Sequence, residues 1–134
     1  MGNAKSQPSE FELQVLGVLW DHGASTVREV MEHLPDGKPR AYTSVLSVMQ
    51  VMQKKKLLKS KRQKDGLAYV FSPTSTREQI VGPLLDGLVS RVFGGSAAMA
   101  VQQLLTQKSV ESEDLDSIRK FIDQIEDERS GNKD

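Results

Sequence analysis

Cysteine is absent from this 134-residue chain. Disulfide scaffolds, thiol nucleophiles and cysteine-based zinc or copper sites are therefore excluded by composition. No stretch approaches the roughly 18 apolar residues that a membrane span requires, and the N-terminus lacks the basic-then-apolar pattern of a secretion signal. We therefore expect a cytoplasmic protein with no direct membrane insertion.

Net charge is absent as well, because 18 Lys and Arg balance 18 Asp and Glu. The balance hides an asymmetry: residues 1–71 hold 11 basic and 7 acidic residues, whereas 72–134 hold 7 basic and 11 acidic. Residues 38–64 contain nine basic residues and no acidic one. Such a stretch favours an anionic partner.

Patterns of catalysis and metal binding are also missing. His22 and His33 have no carboxylates clustered at ligand spacing, no serine lies in a nucleophile elbow, and no glycine-rich phosphate loop follows a predicted strand. We expect neither an enzyme nor a bound metal or other cofactor. Gly2 and Ser6 fit the N-myristoylation pattern, but that pattern is permissive, and a flexible tail over residues 1–8 is favoured.

Two capping-box patterns mark the starts of the first two predicted helices. Ser9 with Glu12 predicts a helix from about Ser9 to Asp21, and Thr26 with Glu29 predicts a short second helix. The sequence Pro35-Asp36-Gly37 ends the second helix. Apolar residues recur at helical spacing in both, which predicts that both contribute to a core.

A third helix, predicted from Ala41 to Lys56, separates into two faces. Apolar residues share one face (Val45, Val48, Met49 and Met52), and polar residues lie opposite (Thr43, Ser47, Gln50 and Lys54). A strand from Leu57 to Arg62, a turn at Lys64-Asp65-Gly66 and a strand from Leu67 to Ser72 then predict a basic hairpin. A helix pair followed by a basic hairpin indicates a winged helix-turn-helix DNA-binding domain, over residues 9–73.

The predicted DNA contacts fall into two sets. Hydroxyl, amide and apolar groups on helix 3 suit base edges in the major groove, which predicts a base-reading set of Thr43, Ser44, Leu46, Ser47 and Gln50. Cations at the flanks suit phosphates, which predicts a phosphate-binding set of Arg40, Lys54, Lys55, Lys61, Arg62 and Lys64. For the lysines at the end of helix 3, a solvated helix terminus that complements the dipole is the alternative.

Residues 74–129 predict helices only, forming a C-terminal dimerisation module before a disordered tail at 130–134. Pro83 lies inside the first of these helices beside Gly82, and we expect a kink or break there. The apolar stripes exceed what so small a module can cover alone. The predicted dimerisation residues are Leu84, Leu85, Leu88, Val89, Val92, Ile118, Phe121, Ile122 and Ile125. The fold class expected overall is mainly α with a small β-hairpin.

Five motifs in register carry a resemblance across about residues 9–129. They are Glu12-x-x-Val15-Leu16-x-x-Leu19-Trp20, Thr26-Val27-Arg28-Glu29-Val30, Ala41-Tyr42-Thr43-Ser44-Val45, Tyr69-Val70-Phe71-Ser72-Pro73 and Arg91-Val92-Phe93-Gly94-Gly95-Ser96. Together they resemble the BlaI/MecI/CopY family of bacterial winged-helix repressors, the penicillinase-repressor group. The resemblance implies a homodimer bound to a palindromic double-stranded DNA operator.

In the β-lactam-responsive branch of that family, a membrane sensor leads to cleavage of the repressor in its C-terminal module. The Asn-Phe bond cut in the best-known members would fall near Gln103-Leu104, so this chain departs from the family's pattern at that position. The cysteine cluster of the copper-responsive branch is absent, which excludes that role. A wing that often reads Gly-Arg-Ala-Tyr is here Gly66-Leu67-Ala68-Tyr69, without that arginine.

The same residues are also compatible with one alternative function, of a different class from DNA binding. A winged helix can serve as a protein-interaction module, and its basic face would then bind an acidic protein. Sequence-specific DNA binding is the leading hypothesis because the polar face of helix 3 and the basic hairpin occur together.

Overall fold

A computed structural model of the chain describes residues 7–64, 66, 68–107 and 110–131. Within these ranges the elements are α1 Glu10–His22, α2 Val27–Glu32, α3 Tyr42–Lys54, β1 Leu58–Arg62, β2 Tyr69–Pro73, α4 Arg77–Val92, α5 Ala97–Gln107 and α6 Ser112–Gly131. The Gly2 motif, Asp65 of the predicted turn, Leu67 of the predicted second strand and the last three residues of the C-terminal tail lie outside the described part of the chain. The predicted mainly α fold with a small β-hairpin is confirmed.

The first two helices begin where the capping boxes predict. The Ser9 hydroxyl accepts a hydrogen bond from the Glu12 amide at 3.2 Å, and the Glu12 carboxylate accepts one from the Ser9 amide at 2.9 Å. Thr26 and Glu29 form the same reciprocal pair at the start of α2. Each box satisfies two amides that a helix N-terminus leaves without intrahelical partners.

The core of the N-terminal part lies between α1, α2, α3 and the hairpin. The inner face predicted for α3 is buried at Val45, Met49 and Met52, with Val48 partly buried. The other buried apolar residues come from all the surrounding elements: Val15, Leu16, Val18, Leu19, Val27, Val30, Leu58 and Phe71. This core fixes which face of α3 points outward.

The two strands pair antiparallel, with Ser60 opposite Phe71 and Arg62 opposite Tyr69. On its other side Phe71 exchanges backbone hydrogen bonds of 3.1 and 2.8 Å with Ser25, which adds a one-residue bridge from the loop before α2. Sequence patterns did not predict this bridge, because a single extended residue has no periodicity. Three helices, this bridge and the hairpin form a winged helix-turn-helix.

Helix α3 ends two residues earlier than predicted, and Lys56 explains why. Lys56 adopts a left-handed conformation with φ of 69°. Its amide bonds the Gln53 carbonyl at 3.0 Å, and the Leu57 amide bonds the Met52 carbonyl at 2.9 Å. This is a Schellman ending, which usually has glycine at the left-handed position.

The chain divides into two compact units within α4, the first ending at Leu85 and the second beginning at Asp86. In the first unit, the start of α4 is attached to α1. The Trp20 indole donates to the Ser75 carbonyl at 2.9 Å, and Arg77 pairs with Asp21 at 2.7 Å. The predicted domain boundary between residues 73 and 74 therefore precedes Ser75 and Arg77, the residues that attach the start of α4 to α1.

Of the kink or break expected at Gly82-Pro83, a break does not occur, since α4 runs as one helix through Pro83. Proline leaves the Gln79 carbonyl without its usual donor, but all three residues are exposed, so water can supply one. Among the described residues no single helix is long and apolar enough to cross a bilayer, and α4 with α5 meets that test only as a bent pair.

Candidate nucleic-acid interface

The predicted base-reading residues share the outward face of α3. Thr43, Ser44, Ser47 and Gln50 are exposed and Leu46 is half-buried, while the opposite side of the same helix is in the core. The helix therefore presents hydroxyl groups, one amide and one apolar side chain to solvent. These groups suit the donor and acceptor pattern of base edges.

A concave surface lies between α3, the start of α2 and the hairpin. Leu46 and Gln50 line it from α3, Arg28 from α2, and Tyr69 from β2. The Gln53 amide on α3 donates to the Ser60 hydroxyl on β1 at 2.9 Å, which fixes the hairpin against the helix. The arrangement places an outward helix beside a strand ribbon, as groove binding requires.

Two arginines stack on aromatic rings at this surface. The Arg28 guanidinium lies 4.9 Å from the Tyr42 ring centre, and that of Arg62 lies 5.3 Å from the Tyr69 ring centre. Stacking holds a guanidinium in place and leaves the N–H groups, which lie in the guanidinium plane, able to bond an anion. Arg28 was not predicted from the sequence because this residue precedes the basic stretch. Its position just after the α2 cap, Thr26, was the available signal.

Four of the six predicted phosphate-binding residues are exposed: Lys54, Lys61, Arg62 and Lys64. Lys54 is the last residue of α3, and the next two lie on β1. None of the four forms an ion pair with another residue in the described ranges. Their charge is therefore directed at solvent or at an anionic partner.

Arg40 is placed differently, because both arms of its guanidinium donate to Asp36, at 2.9 and 2.8 Å. The guanidinium also lies 4.2 Å from the Phe11 ring centre. Its hydrogen bonds hold the pKa of the Asp36 carboxyl well below the usual value of 3.8, helped by the Lys38 amide. The same bonds raise the pKa of Arg40.

Lys55 is also engaged within the protein. Its ammonium lies 3.1 and 2.9 Å from the two carboxylate oxygens of Glu12, a residue that is only 5% exposed. Residues 38–64 contain no acidic residue, so the pattern of that stretch does not indicate any ion pair. Two of its cations nevertheless pair with acids that lie before it in the sequence, Arg40 with Asp36 and Lys55 with Glu12.

The two histidines, which are far apart in sequence, are in contact. The His22 and His33 rings stack with centres 3.9 Å apart and planes tilted by 31°. The His33 Nδ1 lies 3.0 Å from the Glu29 carbonyl oxygen. Within the described ranges no group of three or more His, Cys, Asp or Glu is arranged to hold a metal ion.

The three C-terminal helices contain no buried residue in the part of the chain that is described. Of the predicted dimerisation residues, Leu84, Val89, Ile118 and Ile125 are half-buried. The others are more open to solvent: Leu85, Leu88, Val92, Phe121 and Ile122. Met99 and Leu104 of α5 are exposed too, and the dimerisation prediction did not include them.

Residues 8–124 match the sequence profile of the penicillinase repressor family. The chain belongs to that family. Its members are DNA-binding transcriptional repressors.

Individual members of the family show the same similarity along most of the chain. The transcriptional regulator BlaI of Mycobacterium tuberculosis is 29% identical over 119 residues, covering 87% of this chain and 83% of BlaI. The penicillinase repressor of Bacillus licheniformis is 20% identical over 118 residues, covering 88% of this chain and 91% of that protein.

Solved structures with a similar chain path include other transcriptional regulators. The PcaV regulator of Streptomyces coelicolor, in complex with its natural ligand, has a TM-score of 0.47 and 19% identity, covering 91% of this chain and 77% of PcaV. Wild-type ZitR of Lactococcus lactis in complex with DNA has a TM-score of 0.39 and 20% identity, covering 96% of this chain and 81% of ZitR.

Proposed function

We propose that this family member is a cytoplasmic, non-enzymatic repressor that binds a palindromic operator as a homodimer without a cofactor. One observation carries the proposal: α3 buries Val45, Met49 and Met52 and turns Thr43, Ser47 and Gln50 outward beside a basic hairpin. An α-helix with this outward face fits the major groove, and cations of the adjacent hairpin can contact phosphates of the DNA backbone.

The proposed base contacts are those of α3. The Gln50 amide can donate to and accept from adenine, while Thr43, Ser44 and Ser47 can bond several base edges and Leu46 can contact a thymine methyl. Both arms of Arg40 are occupied by Asp36, so the bidentate arginine contact to guanine has no donor at the start of α3. We therefore expect operator recognition to favour steps that contain A·T pairs.

The proposed phosphate contacts are Lys54, Lys61, Arg62 and Lys64, which pair with no acid among the described residues, together with Arg28, which lines the concave surface. Phosphate contacts supply most of the affinity and set the register on the duplex without reading its sequence. Stacking on Tyr42 and Tyr69 limits how far the two arginines move, which lowers the entropy lost on binding.

A homodimer is supported by the exposed apolar residues of the C-terminal helices. Leu88 is 47% exposed, Val92 is 65% exposed and Phe121 is 61% exposed in the single chain. A second copy that covers them removes this apolar surface from water, at about 25 cal/mol per Å². Two-fold symmetry of the protein then matches two-fold symmetry of the operator.

For induction we propose the sensor-linked proteolysis that the family resemblance implies. Gln103 and Leu104, near which the cleaved bond would fall, are exposed within α5. Because both residues are helical, cleavage requires local unfolding of α5 before a protease can bind the chain. Cleavage there would separate α6 from the rest of the dimerisation surface.

Fluorescence anisotropy with labelled duplexes from the region upstream of the gene tests the DNA-binding proposal. We expect one duplex to bind much more tightly than shuffled DNA of the same composition, in excess competitor. Equal affinity for every duplex would argue against a sequence-specific repressor. Binding to an acidic protein without any preferred duplex would instead support the interaction-module alternative.

A further inference from the structure

We propose that Arg40 and Lys55 position the DNA-reading helix α3 by anchoring its two ends to α1, and that neither binds phosphate. The proposal rests on the proposed DNA-binding function, and it assigns these two cations a role different from that of the exposed ones. The two anchor points, Phe11 and Glu12, are successive residues in the first turn of α1.

The anchor at the start of α3 is built around the Arg40 guanidinium. Asp36 accepts from both of its arms and the Phe11 ring lies 4.2 Å away, so one side chain connects the turn before α3 to α1. The Arg40 and Asp36 side chains are only 21% and 19% exposed. A phosphate would have to displace a bidentate carboxylate, the geometry that guanidinium groups hold most strongly.

The anchor at the end of α3 is the Lys55 ammonium on Glu12. The Glu12 side chain is 6% exposed, and its Oε1 also accepts from the Ser9 amide, so one carboxylate begins α1 and holds the end of α3. Moving Lys55 to a phosphate would leave this shielded carboxylate without a counter-charge. Breaking such a pair costs more than a new exposed phosphate contact returns.

Fixing both ends of α3 matters because base reading depends on its angle in the groove. Hydrogen bonds to base edges weaken steeply once donor and acceptor move out of line. A loose helix end would therefore lower affinity for the operator while leaving the sequence-independent attraction to phosphates unchanged. Positioning residues and phosphate-binding residues thus predict different effects on specific and non-specific binding.

Neutralising Glu12 or Asp36 distinguishes a phosphate-binding role from a positioning role, because the two roles predict different directions of change in DNA affinity. Glu12→Gln keeps the acceptor that the capping box needs and removes the charge. Asp36→Asn likewise removes the charge and keeps one acceptor oxygen for the Lys38 amide. If Lys55 and Arg40 bound phosphate, removing an adjacent negative charge would leave DNA affinity unchanged or raise it. If they position α3, both substitutions lower operator affinity.

The matched set is Glu12→Gln, Lys55→Met, Asp36→Asn and Arg40→Gln, measured in the full-length protein against the preferred duplex and against shuffled DNA. We expect each to weaken operator binding by on the order of tenfold, with shuffled-DNA affinity and the salt slope unchanged. Lys55→Arg keeps the ion pair and should retain operator affinity. Circular dichroism and the melting temperature show that each variant is folded at the assay temperature.

Tighter or unchanged operator binding by Asp36→Asn and Glu12→Gln, with a flatter salt slope for Arg40→Gln and Lys55→Met, would overturn the proposal. If Glu12→Gln fails to fold, Asp36→Asn still tests the anchor at the start of α3. Lys55→Arg then tests the anchor at its end, and a loss of operator affinity in that variant would count against the anchor. Failure of the wild type to prefer any duplex is a different result, because it contradicts the proposed function itself.

Discussion

Arg40 and Asp36 are joined by two parallel hydrogen bonds, Nη1 to Oδ1 at 2.9 Å and Nη2 to Oδ2 at 2.8 Å. They lie four residues apart in the turn that leads into α3, so the pair closes this turn on itself. The pKa of the Asp36 carboxyl is lowered below 3.8 by that arginine.

The Arg40 and Asp36 pair predicts a pH dependence of stability. A carboxyl with a lowered pKa in the folded state contributes stability that is fully present above its unfolded pKa and is lost as pH falls through its folded pKa. The gap in melting temperature between wild type and Asp36→Asn should therefore be widest near neutral pH and narrow below about pH 4. A gap that widens on acidification would contradict the assignment. Asp21→Asn should behave alike, because Arg77 also lowers the pKa of Asp21.

The proposed phosphate contacts predict a salt-dependent affinity. Arg28, Lys54, Lys61, Arg62 and Lys64 give about ten phosphate contacts in a dimer, so the logarithm of the binding constant should fall with the logarithm of salt concentration with a slope of about −9. Replacing Lys61 and Arg62 with Ala should flatten this slope by about 3 to 4 units and weaken operator and shuffled DNA alike.

Anisotropy titrations at several salt concentrations measure this slope. Lys120→Ala, an exposed lysine on α6, is the control and should leave the slope near its wild-type value. A loss confined to one duplex sequence would show that Lys61 and Arg62 read bases instead.

The outward face of α3 predicts which substitutions change specificity. Gln50→Ala and Thr43→Ala should each cost about 1 to 3 kcal/mol on the operator and little on shuffled DNA, because each removes a base contact and no phosphate contact. Gln102→Ala on α5 is the matched control for losing an exposed amide. Equal losses on both DNAs would refute the assignment of this face to base reading.

Features that depend on neighbouring residues were predictable from the sequence. Capping boxes at Ser9 and Thr26 located two helix starts because their hydrogen bonds span three residues. The burial of one side of α3 followed from helical periodicity, since Val45, Met49 and Met52 recur on one face. The hairpin followed from strand-forming residues on either side of a turn.

Features that depend on distant residues were not predictable. Glu12 is 43 residues from Lys55, and nothing in the basic stretch indicates that this lysine ends beside a buried carboxylate. The bridge between Ser25 and Phe71 involves single residues, too short for any pattern. Helix α4 continues through Pro83, where the exposed Gln79 carbonyl can bond water instead of a backbone amide.

Lys56 predicts a substitution that stabilises the protein. Its φ of 69° costs a side-chain-bearing residue about 1 to 2 kcal/mol, and glycine does not bear that cost. After the greater flexibility of glycine in the unfolded chain is subtracted, Lys56→Gly should raise the free energy of unfolding by about 0.5 to 1 kcal/mol. Denaturant titration measures it.

The control for Lys56 is the same substitution two residues earlier. Lys54 is helical, so Lys54→Gly should lower the free energy of unfolding by up to about 1 kcal/mol. Lower stability for both variants would show that the left-handed residue is not strained.

The exposed apolar residues of α4 and α6 predict how the dimer can be separated. Leu88→Asp or Ile122→Asp would place an unpaired charge in the proposed interface, at a cost of several kcal/mol, and should yield monomers. Ser117→Asp adds the same charge elsewhere on α6 and should leave the dimer intact. Light scattering measures the mass of each variant at the concentrations used for DNA titration.

Separating the protomers should also reduce operator affinity sharply. In the dimer, binding of one winged helix holds the other close to its half-site, and a monomer loses this effective concentration, which is worth about 10² to 10⁴ in affinity. The loss should be much smaller on a duplex that carries a single half-site, because only one winged helix binds there in either case. A monomeric variant that bound the full operator with wild-type affinity would show that this repressor does not need dimerisation to reach its DNA.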